Sequence, residues 1–539
     1  MPDDPKALDL IKERDRLKSD RQTYETAWRD IRRLVRPNTV DFQAANNAPG
    51  DVRTEHMYDG TAMQSNTDLA NAVHSFIANP SERNFGIKVT AAQRELNDDS
   101  EVREYLDLVS DILAAELSDD RTMFTSALQE AFLDLAFGNM VVNQEWNADE
   151  GHLIFKACPL ATSYFDENQY GLIDCMYRCL VMNMRQINQK FHEAKWDRKE
   201  EDDKKPDKTF HVLHAVKPRS DVVYGKETKT NMPFKSCWVL EEKKVLLEES
   251  GYVTFPYHVG RWSKSDEELY GRGPAINCLP DIRMLNRMEF TIIKAAQKAV
   301  DPPLIMPSDG FIGRFKTAPG SINYSDPSMG EFEVQTLEHK GKLDIGLEMS
   351  EQKREFIRRC FYADWVKLMP KKERQTAYEI SELVEQQLRM MSPMLGRLQT
   401  EVFVPLIQRS YTLMDRAGVL PPLPPLLDGV RLEVDYVTAA ARAQAATRLV
   451  SYNRLVQNLA ILQPFAPDVM DKLDADVIAS DMAILSGVPA KAVRNDEDVS
   501  EIRSARAQEQ QAAAAVAAAP QIAGAVKDFS QANEAGGLL

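Results

Sequence analysis

The sequence predicts a mixed α+β protein in which helices dominate, and two observations carry this prediction. Over long stretches towards both ends of the chain, apolar residues recur every three or four positions, which is the spacing of amphipathic helices. From about residue 141 to residue 259, β-branched and aromatic residues instead alternate with polar ones in short runs, as in strands separated by turns. The chain has 539 residues, which is too long for one ordinary domain.

The first half of the chain divides into four helices followed by a set of strands. We expect helices over residues 6–36, 59–79, 100–118 and 121–137. Pro37 ends the first helix, because the residue before a proline avoids the helical conformation, and Gly138 ends the fourth. We expect strands over residues 141–165, 172–182, 210–217, 235–247 and 251–259.

Two helices of similar length then flank a segment rich in glycine, proline, serine and asparagine. The first is expected over residues 276–300, and the prolines of DPPLIMP (301–307) end it. The second is expected over residues 346–366. An antiparallel helix pair that carries a compact β-rich tip explains this order. On the second helix, one face is expected to carry Met349, Phe356, Ile357, Cys360, Phe361 and Trp365.

A further helical pattern covers residues 377–417 and contains two internal prolines, Pro393 and Pro405. An internal proline costs about 3 kcal/mol in an undisturbed helix, so this helix is expected to be kinked or divided. Gly418 is well placed to end it. Beyond it we expect a strand in VRLEVDYV, helices over residues 438–500, and an Ala- and Gln-rich tail over residues 501–539 that is helical if packed and disordered otherwise.

The loop before this helix is unusual in its charge. In MPKKERQTAYEISE (369–382), Thr376 and Glu379 have the spacing of a capping box at a helix start. The cations Lys371, Lys372 and Arg374 lie just before that start, where the helix dipole is already positive. These cations therefore do not stabilise the helix, and their placement indicates that the loop faces an anion. The alternative is a solvated loop that ends a helix pair.

The composition narrows the class of protein. The formal net charge is −16, which disfavours a protein that wraps nucleic acid but allows one past which nucleic acid slides. No signal peptide or membrane-spanning run is present in the sequence, so we expect a soluble protein made in a cytoplasm. The scattered cysteines fit a reducing compartment; they are Cys158, Cys175, Cys179, Cys237, Cys278 and Cys360.

The chain lacks the common motifs of catalysis, phosphate binding and metal binding. His211 and His214 lie on a predicted strand, where positions three apart face opposite sides. Cys175 and Cys179 have no second matching pair and are better explained as buried thiols than as zinc ligands. Paired acids are expected by chance among 82 carboxylates. We therefore predict no catalytic residue, metal or cofactor, and a role in assembly or transport.

Three segments point to one family. They are YDGTAMQSNTDLANAVHSFIANPSERNF (58–85), GRGPAINCLPDIRMLNRM (271–288), and RRCFYADW with the following ERQTAYEISELVEQQLRMMSPMLGRLQTEVFVPLIQRSYTLMDRAGVLPP (358–422). Together with the order of the elements, they resemble the portal proteins, or head-to-tail connectors, of short-tailed, podovirus-type tailed bacteriophages. The resemblance covers most of residues 1–440 and is most specific over residues 373–422. The last 100 residues are assigned by their order alone.

The resemblance implies a portal-type architecture. It assigns an α+β wing to residues 1–275, a first stem helix to 276–300, a β-rich clip to 301–345, a second stem helix to 346–366, a tunnel loop to 367–376, a long kinked helix with a return to the wing to 377–437, a helical crown to 438–500, and a C-terminal tail, a barrel or disordered, to 501–539.

The resemblance also implies the function. Such proteins form a ring, usually of twelve subunits, at one capsid vertex of the virion, and double-stranded DNA is packaged and ejected through the channel of the ring. The clip docks the large subunit of the terminase, which hydrolyses ATP, and later the tail adaptor. The major capsid protein and the scaffolding protein are further partners, no membrane is involved, and assembly takes place in the host cytoplasm.

The family assigns roles to particular residues. The tunnel-loop cations Lys367, Lys371, Lys372 and Arg374 contact DNA phosphate. Pro393 and Gly396 form a kink that joins the channel to the wing; alternatively, they let the helix follow a curved core. Packing between subunits is expected from the stem residues Met288, Phe356, Phe361 and Trp365, with DNA contact by them as the alternative.

Two other functions remain open from the sequence. One is a metal-dependent nucleic-acid enzyme, such as a nuclease that uses scattered carboxylates, which would require a divalent metal and form a small oligomer. The other is a structural scaffold without a channel. The number of subunits in a ring is not determined by the sequence.

Overall fold

The structure is a computed structural model of the chain. It describes residues 4–42, 50, 53–77, 85–192, 207–223, 228–300, 304–305, 335–336, 343–363, 391–436, 439–462, 474–485, 488, 494 and 498–511. Over these residues, the protein is mixed α+β with helices in the majority, as the sequence predicts.

The described helices are α1 (Pro5–Leu34), α2 (Thr61–Ile77), α3 (Ser100–Ser118), α4 (Phe124–Leu133), α5 (Met184–Lys190), α6 (Pro274–Asn277), α7 (Leu279–Val300), α8 (Leu343–Cys360), α9 (391–416), α10 (Ala439–Leu462), α11 (Ala475–Leu485) and α12 (498–511).

The described strands are β1 (Phe85–Val89), β2 (Asn139–Asn147), β3 (His152–Ala157), β4 (Ser163–Glu167), β5 (Ile173–Asn183), β6 (Thr209–Pro218), β7 (Phe234–Leu240), β8 (Val245–Tyr252), β9 (Tyr257–Arg261), β10 (Leu304–Ile305), β11 (Gln335–Thr336) and β12 (Leu432–Tyr436).

Most predicted elements are present, with shifts at their ends. The helix expected over residues 121–137 is shorter than predicted, because 3₁₀ turns flank α4 on both sides. Gly138 ends this region with a positive φ of 101°, a conformation that favours glycine. Helix α8 starts at Leu343, so residues 343–345, which the sequence assigned to the tip, belong to the helix. In the described part of the tip, β10 pairs antiparallel with β11.

The chain forms two compact units. The first comprises residues 1–84 and 112–420, and the second comprises residues 85–111 and 421–539. In the second unit, β1 pairs antiparallel with β12. Helices α10 and α11 pack together, and the Tyr452 hydroxyl donates to the Asp481 carboxylate (2.9 Å).

A five-stranded antiparallel sheet, in the order β4-β5-β6-β7-β8, is central to the first unit. Successive residues of a strand face opposite sides, so Val212 and Leu213 enter different cores. The first half of α1 packs on the side of Leu213 through Leu10 and Leu17. Helix α5 packs on the side of Val212. The sheet is therefore buried on both faces.

A buried arginine joins α1 to the start of this sheet. The Arg21 side chain is 0% exposed, and its guanidinium donates to the carbonyls of Leu160 (2.9 Å), Ala161 (3.1 Å) and Ser163 (2.8 Å). Glu25, one turn further along α1, accepts from it as well (2.8 Å). A buried charge is tolerated when it is paired and hydrogen-bonded. Arg21 meets this condition and supplies hydrogen bonds to the carbonyl groups of the short turn before β4.

Backbone segments meet at three glycines beside this core. A Cβ atom on Gly273 would lie 2.3 Å from the Leu135 carbonyl oxygen and 2.4 Å from that of Ala136. One on Gly138 would lie 2.2 Å from the carbonyl oxygen of Gly271. The turn after α4 and the segment before α6 can approach so closely only because these positions lack side chains.

A second sheet, in the order β3-β2-β9, carries a buried polar chain that reaches α9. His258 Nε2 donates to Gln144 Oε1 (2.8 Å), and Gln144 Nε2 donates to the Ser410 hydroxyl of α9 (2.7 Å). Arg409 donates from Nε to the Gln144 carbonyl (3.2 Å). Burial, and secondarily the charge of Arg409, lowers the pKa of His258 to about 3, so the imidazole is neutral at neutral pH.

The neutral state of His258 makes stability depend on pH. The unfolded chain binds a proton at this histidine below about pH 6.5, whereas the folded chain binds it only near pH 3. Above about pH 6.5, His258 therefore does not reduce the free energy of unfolding. As the pH falls below that value, the free energy of unfolding decreases by about 1.4 kcal/mol per pH unit. We predict that His258→Gln will reduce the loss of thermal stability between about pH 7 and about pH 5.

The measurement is the unfolding midpoint of the variant and the wild type across this range. His211→Gln is the control, because His211 is exposed at the start of β6 and should leave the slope unchanged. Equal slopes for the wild type and His258→Gln would contradict the prediction.

Candidate functional site

The helix pair α7 and α8 is the part of the described structure that corresponds to the two predicted helices around the tip. The helices run antiparallel, because Cys278 meets Cys360 at one end, and at the other a Cβ atom on Gly346 would lie 3.6 Å from Ile292. The buried side of the pair is apolar; its members include Leu279, Ile282, Leu285, Ile357 and Phe361.

Ion pairs hold the two helices together. The Arg354 guanidinium of α8 donates to Glu289 of α7 (2.7 Å) and to Glu351 one turn earlier (3.2 Å). Lys353 pairs with Asp281 of α7 (2.7 Å). Both α7 carboxylates in these pairs therefore point towards α8. Because Arg354 and its partner Glu289 are partly shielded from water, the pair contributes more than an exposed surface pair does.

The same arginine anchors the pair to the rest of the unit. Arg354 Nε donates to Asp59 (2.9 Å), whose other oxygen accepts from the Thr61 N–H at the start of α2 (2.8 Å). Asn286 of α7 accepts from the Tyr58 N–H (2.7 Å) and donates to the His56 carbonyl (3.0 Å). The segment before α2 thus fixes both helices at their base.

Two thiols close the base of the pair. The Cys278 thiol hydrogen-bonds with that of Cys360 and donates to the Pro274 carbonyl (3.3 Å). Burial raises the pKa of both thiols above the usual value for cysteine, which makes them poor nucleophiles at neutral pH. Their arrangement is structural packing at the helix ends.

The predicted stem residues fall in different environments. Met288 is partly buried and lines an open groove of about 990 Å³ beside α7. Phe356 is 46% exposed, whereas Phe361 is 0% exposed, and their role in packing between subunits stays a prediction. The apolar face predicted on the second helix is only partly buried, because Ile357 and Phe361 are buried while Met349 and Phe356 are exposed. Trp365 lies outside the described residues.

Helix α9 is interrupted by a π turn at Gln399–Phe403. The Val404 N–H donates to the Gln399 carbonyl, five residues earlier, and Pro405 follows directly. Proline has no N–H and its ring crowds the carbonyl four residues before it, so a wider turn at this point relieves both problems. The division predicted from the two prolines is thus present at Pro405. The predicted kink residues Pro393 and Gly396 lie in the preceding helical run 391–398, and their role as a kink stays a prediction.

The π turn lies where the buried side of α9 becomes wider. Residues 391, 395 and 398 are buried before it, and from the turn onwards the buried positions come mostly in adjacent pairs, at 402 and 403, 406 and 407, and 409 and 410. A π turn contains one residue more than an α turn, so it shifts the register of the helix at this point. The end of the helix follows the sequence prediction: Gly418 has φ +70°, and the N–H groups of Gly418 and Val419 close a Schellman motif.

A buried ion cluster fixes the π turn to strand β9. The Arg261 side chain is 3% exposed. Glu401 accepts from its Nε (3.1 Å), its Nη2 (2.8 Å) and its backbone N–H (2.9 Å). Glu167 accepts from Arg261 Nη1 (2.6 Å) and from Lys264 (2.7 Å). The two carboxylates thus neutralise two cations, and α9, β4 and β9 are joined at one point.

The cations predicted to contact DNA, Lys367, Lys371, Lys372 and Arg374, lie outside the described residues, as does the predicted capping box. Within the described ranges, no cluster of three or more His, Cys, Asp or Glu side chains is arranged to hold a metal ion. His214 is buried on β6 and His211 is exposed, as the strand spacing predicts. A search of the described helices for one able to cross a membrane finds none.

Comparison with known proteins assigns the family. The bacteriophage head to tail connecting protein family matches residues 7–493, which is most of the chain. The chain belongs to this family. Its relatives include a probable portal protein of Bordetella phage BPP-1, which is 28% identical over 92% of this chain and 90% of the relative. The portal protein of Salmonella phage epsilon15 is 26% identical over 97% and 95%.

Among solved structures, the chain is similar to one chain of the virion of a native gene transfer agent (GTA) particle. The TM-score is 0.37 and the sequence identity is 11%, with 82% of this chain and 96% of that chain covered.

Sequence reasoning missed the charged residues that position the connector's helices. Arg354 and Glu289 are 65 residues apart, and Arg261 and Glu401 are 140 residues apart, so no local spacing links these pairs. One local signal was available for the π turn: Pro405 lies inside the helical pattern, where an undisturbed α-helix does not accommodate it. Glu401 lies in this turn, next to the buried Val402.

We predict that Glu401→Ala will lower the free energy of unfolding by about 3 kcal/mol, because it leaves Arg261 buried with only one of its two carboxylates. The matched control is Glu268→Ala, which removes the partner of the half-exposed Arg272 and should cost about 1 kcal/mol or less. Unfolding followed by tryptophan fluorescence distinguishes the two. Equal losses of unfolding free energy in both variants would contradict the prediction.

Proposed function

We propose that this connector protein is a portal subunit. It forms a ring at one vertex of a phage capsid, and double-stranded DNA is packaged and ejected through the ring's channel. The observation that carries the proposal is the family match over residues 7–493, since both relatives named as portal proteins align over nine-tenths or more of both chains. The role is structural, as part of the virion, and the ring assembles in the host cytoplasm.

The antiparallel pair of α7 and α8 supports the assignment of a stem. Helix α7 has 22 residues and spans about 33 Å at 1.5 Å per residue. The pair is fixed at its base by Arg354 and Asn286 and carries the β10-β11 pair between its far ends. The stem lines the channel, and the tip is the clip that docks the large subunit of the terminase and then the tail adaptor.

The tunnel loop supplies the contact with DNA in this proposal. Lys367, Lys371, Lys372 and Arg374 form a narrow positive collar in a ring of otherwise negative charge, roughly −190 for twelve copies. Few phosphate contacts leave DNA free to slide. Pro393 and Gly396 form the kink that couples the loop to the wing. The helices after residue 438 form the crown, and the capsid and scaffolding proteins bind the outer surface.

The ring is tested by electron microscopy of the purified protein. We expect closed rings, mostly of twelve subunits, with a channel wide enough for duplex DNA and a narrow stem. Incubation with DNA and Mg²⁺ should leave the DNA intact. Monomers at all concentrations, or DNA cleavage that requires the metal, would contradict the proposal and favour an enzyme.

The loop is tested by a packaging assay with rings that carry Lys371→Ala, Lys372→Ala and Arg374→Ala together. We expect about tenfold fewer DNA-filled heads, because the phosphate contacts are lost while the ring still forms. Rings with Lys12→Ala are the control, since Lys12 is an exposed cation on α1. Unchanged packaging by the loop variant would contradict DNA contact by these cations.

Pro393→Ala in the same assay should reduce DNA retention. Unchanged retention in Pro393→Ala would contradict the role of the kink.

A further inference from the structure

Strand β12 has one paired edge and one open edge. It pairs antiparallel with β1. Just past the last pair of this ladder, the Thr90 N–H donates to the Arg431 carbonyl (3.2 Å). Hydrogen-bonded and non-hydrogen-bonded pairs alternate in an antiparallel ladder, so Glu433 and Asp435 also direct their backbone groups towards β1. The backbone N–H and C=O groups that point away from β1 are those of Leu432, Val434 and Tyr436.

Side chains close the corresponding edge of β1. The Ile87 N–H donates to the Ser110 hydroxyl of α3 (3.1 Å). The Val89 N–H donates to the Asn97 side chain (2.9 Å), and the Asn97 amide donates back to the Val89 carbonyl (3.4 Å). On β12, by contrast, no hydrogen bond between described residues satisfies the outward N–H or C=O of Val434. An open strand edge of this kind is a template on which another strand pairs.

The apolar face of the two strands is covered at β1 and partly open at β12. Ile87 and Val89 are buried, whereas their cross-strand neighbours Val434 and Leu432 are half-buried. Residues directly opposite each other lie on the same face of a sheet. A two-stranded sheet gains stability from a further strand that extends its apolar face. A strand added beside β12 would extend this face and cover Val434 and Leu432.

The other face carries a defined order of charges along β12. Arg431, Glu433 and Asp435 follow one another at spacings of two, so they point to this face. Asp435 pairs with Lys88 of β1, and opposite it Gly86 leaves open space. Charges directly opposite each other on neighbouring strands stabilise a sheet when their signs differ and destabilise it when they agree. The open edge therefore favours a strand with cations opposite Glu433 and Asp435 and an acid opposite Arg431.

A second copy of β12 matches this order of charges poorly. Antiparallel pairing centred on Val434 would place Glu433 opposite Asp435 twice. Pairing centred on Glu433 would join Arg431 to Asp435 but would bring the two Glu433 carboxylates together. A strand of different sequence can place a cation opposite both acids, so the charges of β12 favour a partner other than β12 itself.

We propose that the open edge of β12 binds an extended segment of another protein by strand addition. Read antiparallel to β12, this segment has the order cation, apolar residue, cation, apolar residue, acid. Its cations lie opposite Asp435 and Glu433, and its acid lies opposite Arg431. Its backbone bonds to Val434 and Leu432 supply the affinity, and its charges set the register. The inference goes beyond the proposed function, because it requires neither a ring nor a channel.

Peptide binding to the purified full chain tests the edge. The probe is a fluorescent, capped peptide in which lysine, lysine and glutamate, in that order, alternate with valine. The control peptide has the charges exchanged, as glutamate, glutamate and lysine. We expect the probe to bind at least about tenfold more tightly than the control peptide, measured by fluorescence anisotropy. Equal affinities, or no binding of the probe, would overturn the inference.

Val434→Pro tests the backbone contact. Proline removes the N–H that faces the open edge and leaves the bonds of Glu433 and Asp435 to β1 in place. We expect the affinity for the probe to fall at least about tenfold. The control is Val434→Ala, which keeps the N–H and should bind the probe more tightly than Val434→Pro. Equal affinities of the wild type and Val434→Pro would contradict strand addition.

Charge inversion tests the specificity without a proline. Arg431→Glu/Glu433→Lys/Asp435→Lys reverses the three charges on side chains that are at least partly exposed, so the variant should prefer the control peptide to the probe. An unchanged preference would overturn the inference, also where Val434→Pro fails to fold. Association of the peptide-free wild type that Val434→Pro abolishes would assign the edge to a second copy and would overturn it as well.

Hydrogen exchange locates the bound strand. The probe should slow exchange of the Leu432 and Val434 amides at least about tenfold. The amides of Glu433 and Asp435 should change little, because they already donate to β1. Slower exchange at another site alone would show that the peptide binds elsewhere and would exclude this edge.

Discussion

The buried contact between Arg261 and Glu401 is the constraint on which the arrangement of the first unit depends. It places a charge pair where the π turn of α9 meets the end of β9, and Glu167 extends it to β4. A guanidinium that is 3% exposed must keep its partners, because an unpaired charge at this depth is costly. The strands and the long helix are therefore fixed together, and the polar chain from His258 through Gln144 to Ser410 continues the same junction.

The two helices of the pair carry charges of opposite sign on their facing sides. Acids of α7 and cations of α8 face each other across the pair and close it, as Glu289 and Arg354 do. The exposed side of α7 is basic, with Arg287, Lys294 and Lys298 at spacings of seven and four residues.

The sequence predicted the elements better than the contacts between them. Periodicity located α1, α3 and α7 and the strands, and Gly418 marked the end of α9, because these features depend on neighbours a few residues away. Partners such as Arg354 and Asp59 are 295 residues apart, and only the folded chain brings them together. On α8, periodicity failed at Phe356, since a large apolar residue is the same letter whether it faces a core or an exposed surface. The resemblance, not the pattern, pointed to the family that the match over residues 7–493 confirms.

The π turn has a consequence for how this helix tolerates insertions and deletions. The turn at Gln399–Phe403 holds one residue more than an α turn and lies directly before Pro405. Loss of one residue within the turn would make it an α turn and bring back the crowding by the proline ring, whereas loss of one residue elsewhere in 391–416 would rotate half of the helix by about 100°. The extra residue is therefore tied to Pro405, at the same place where Glu401 holds Arg261.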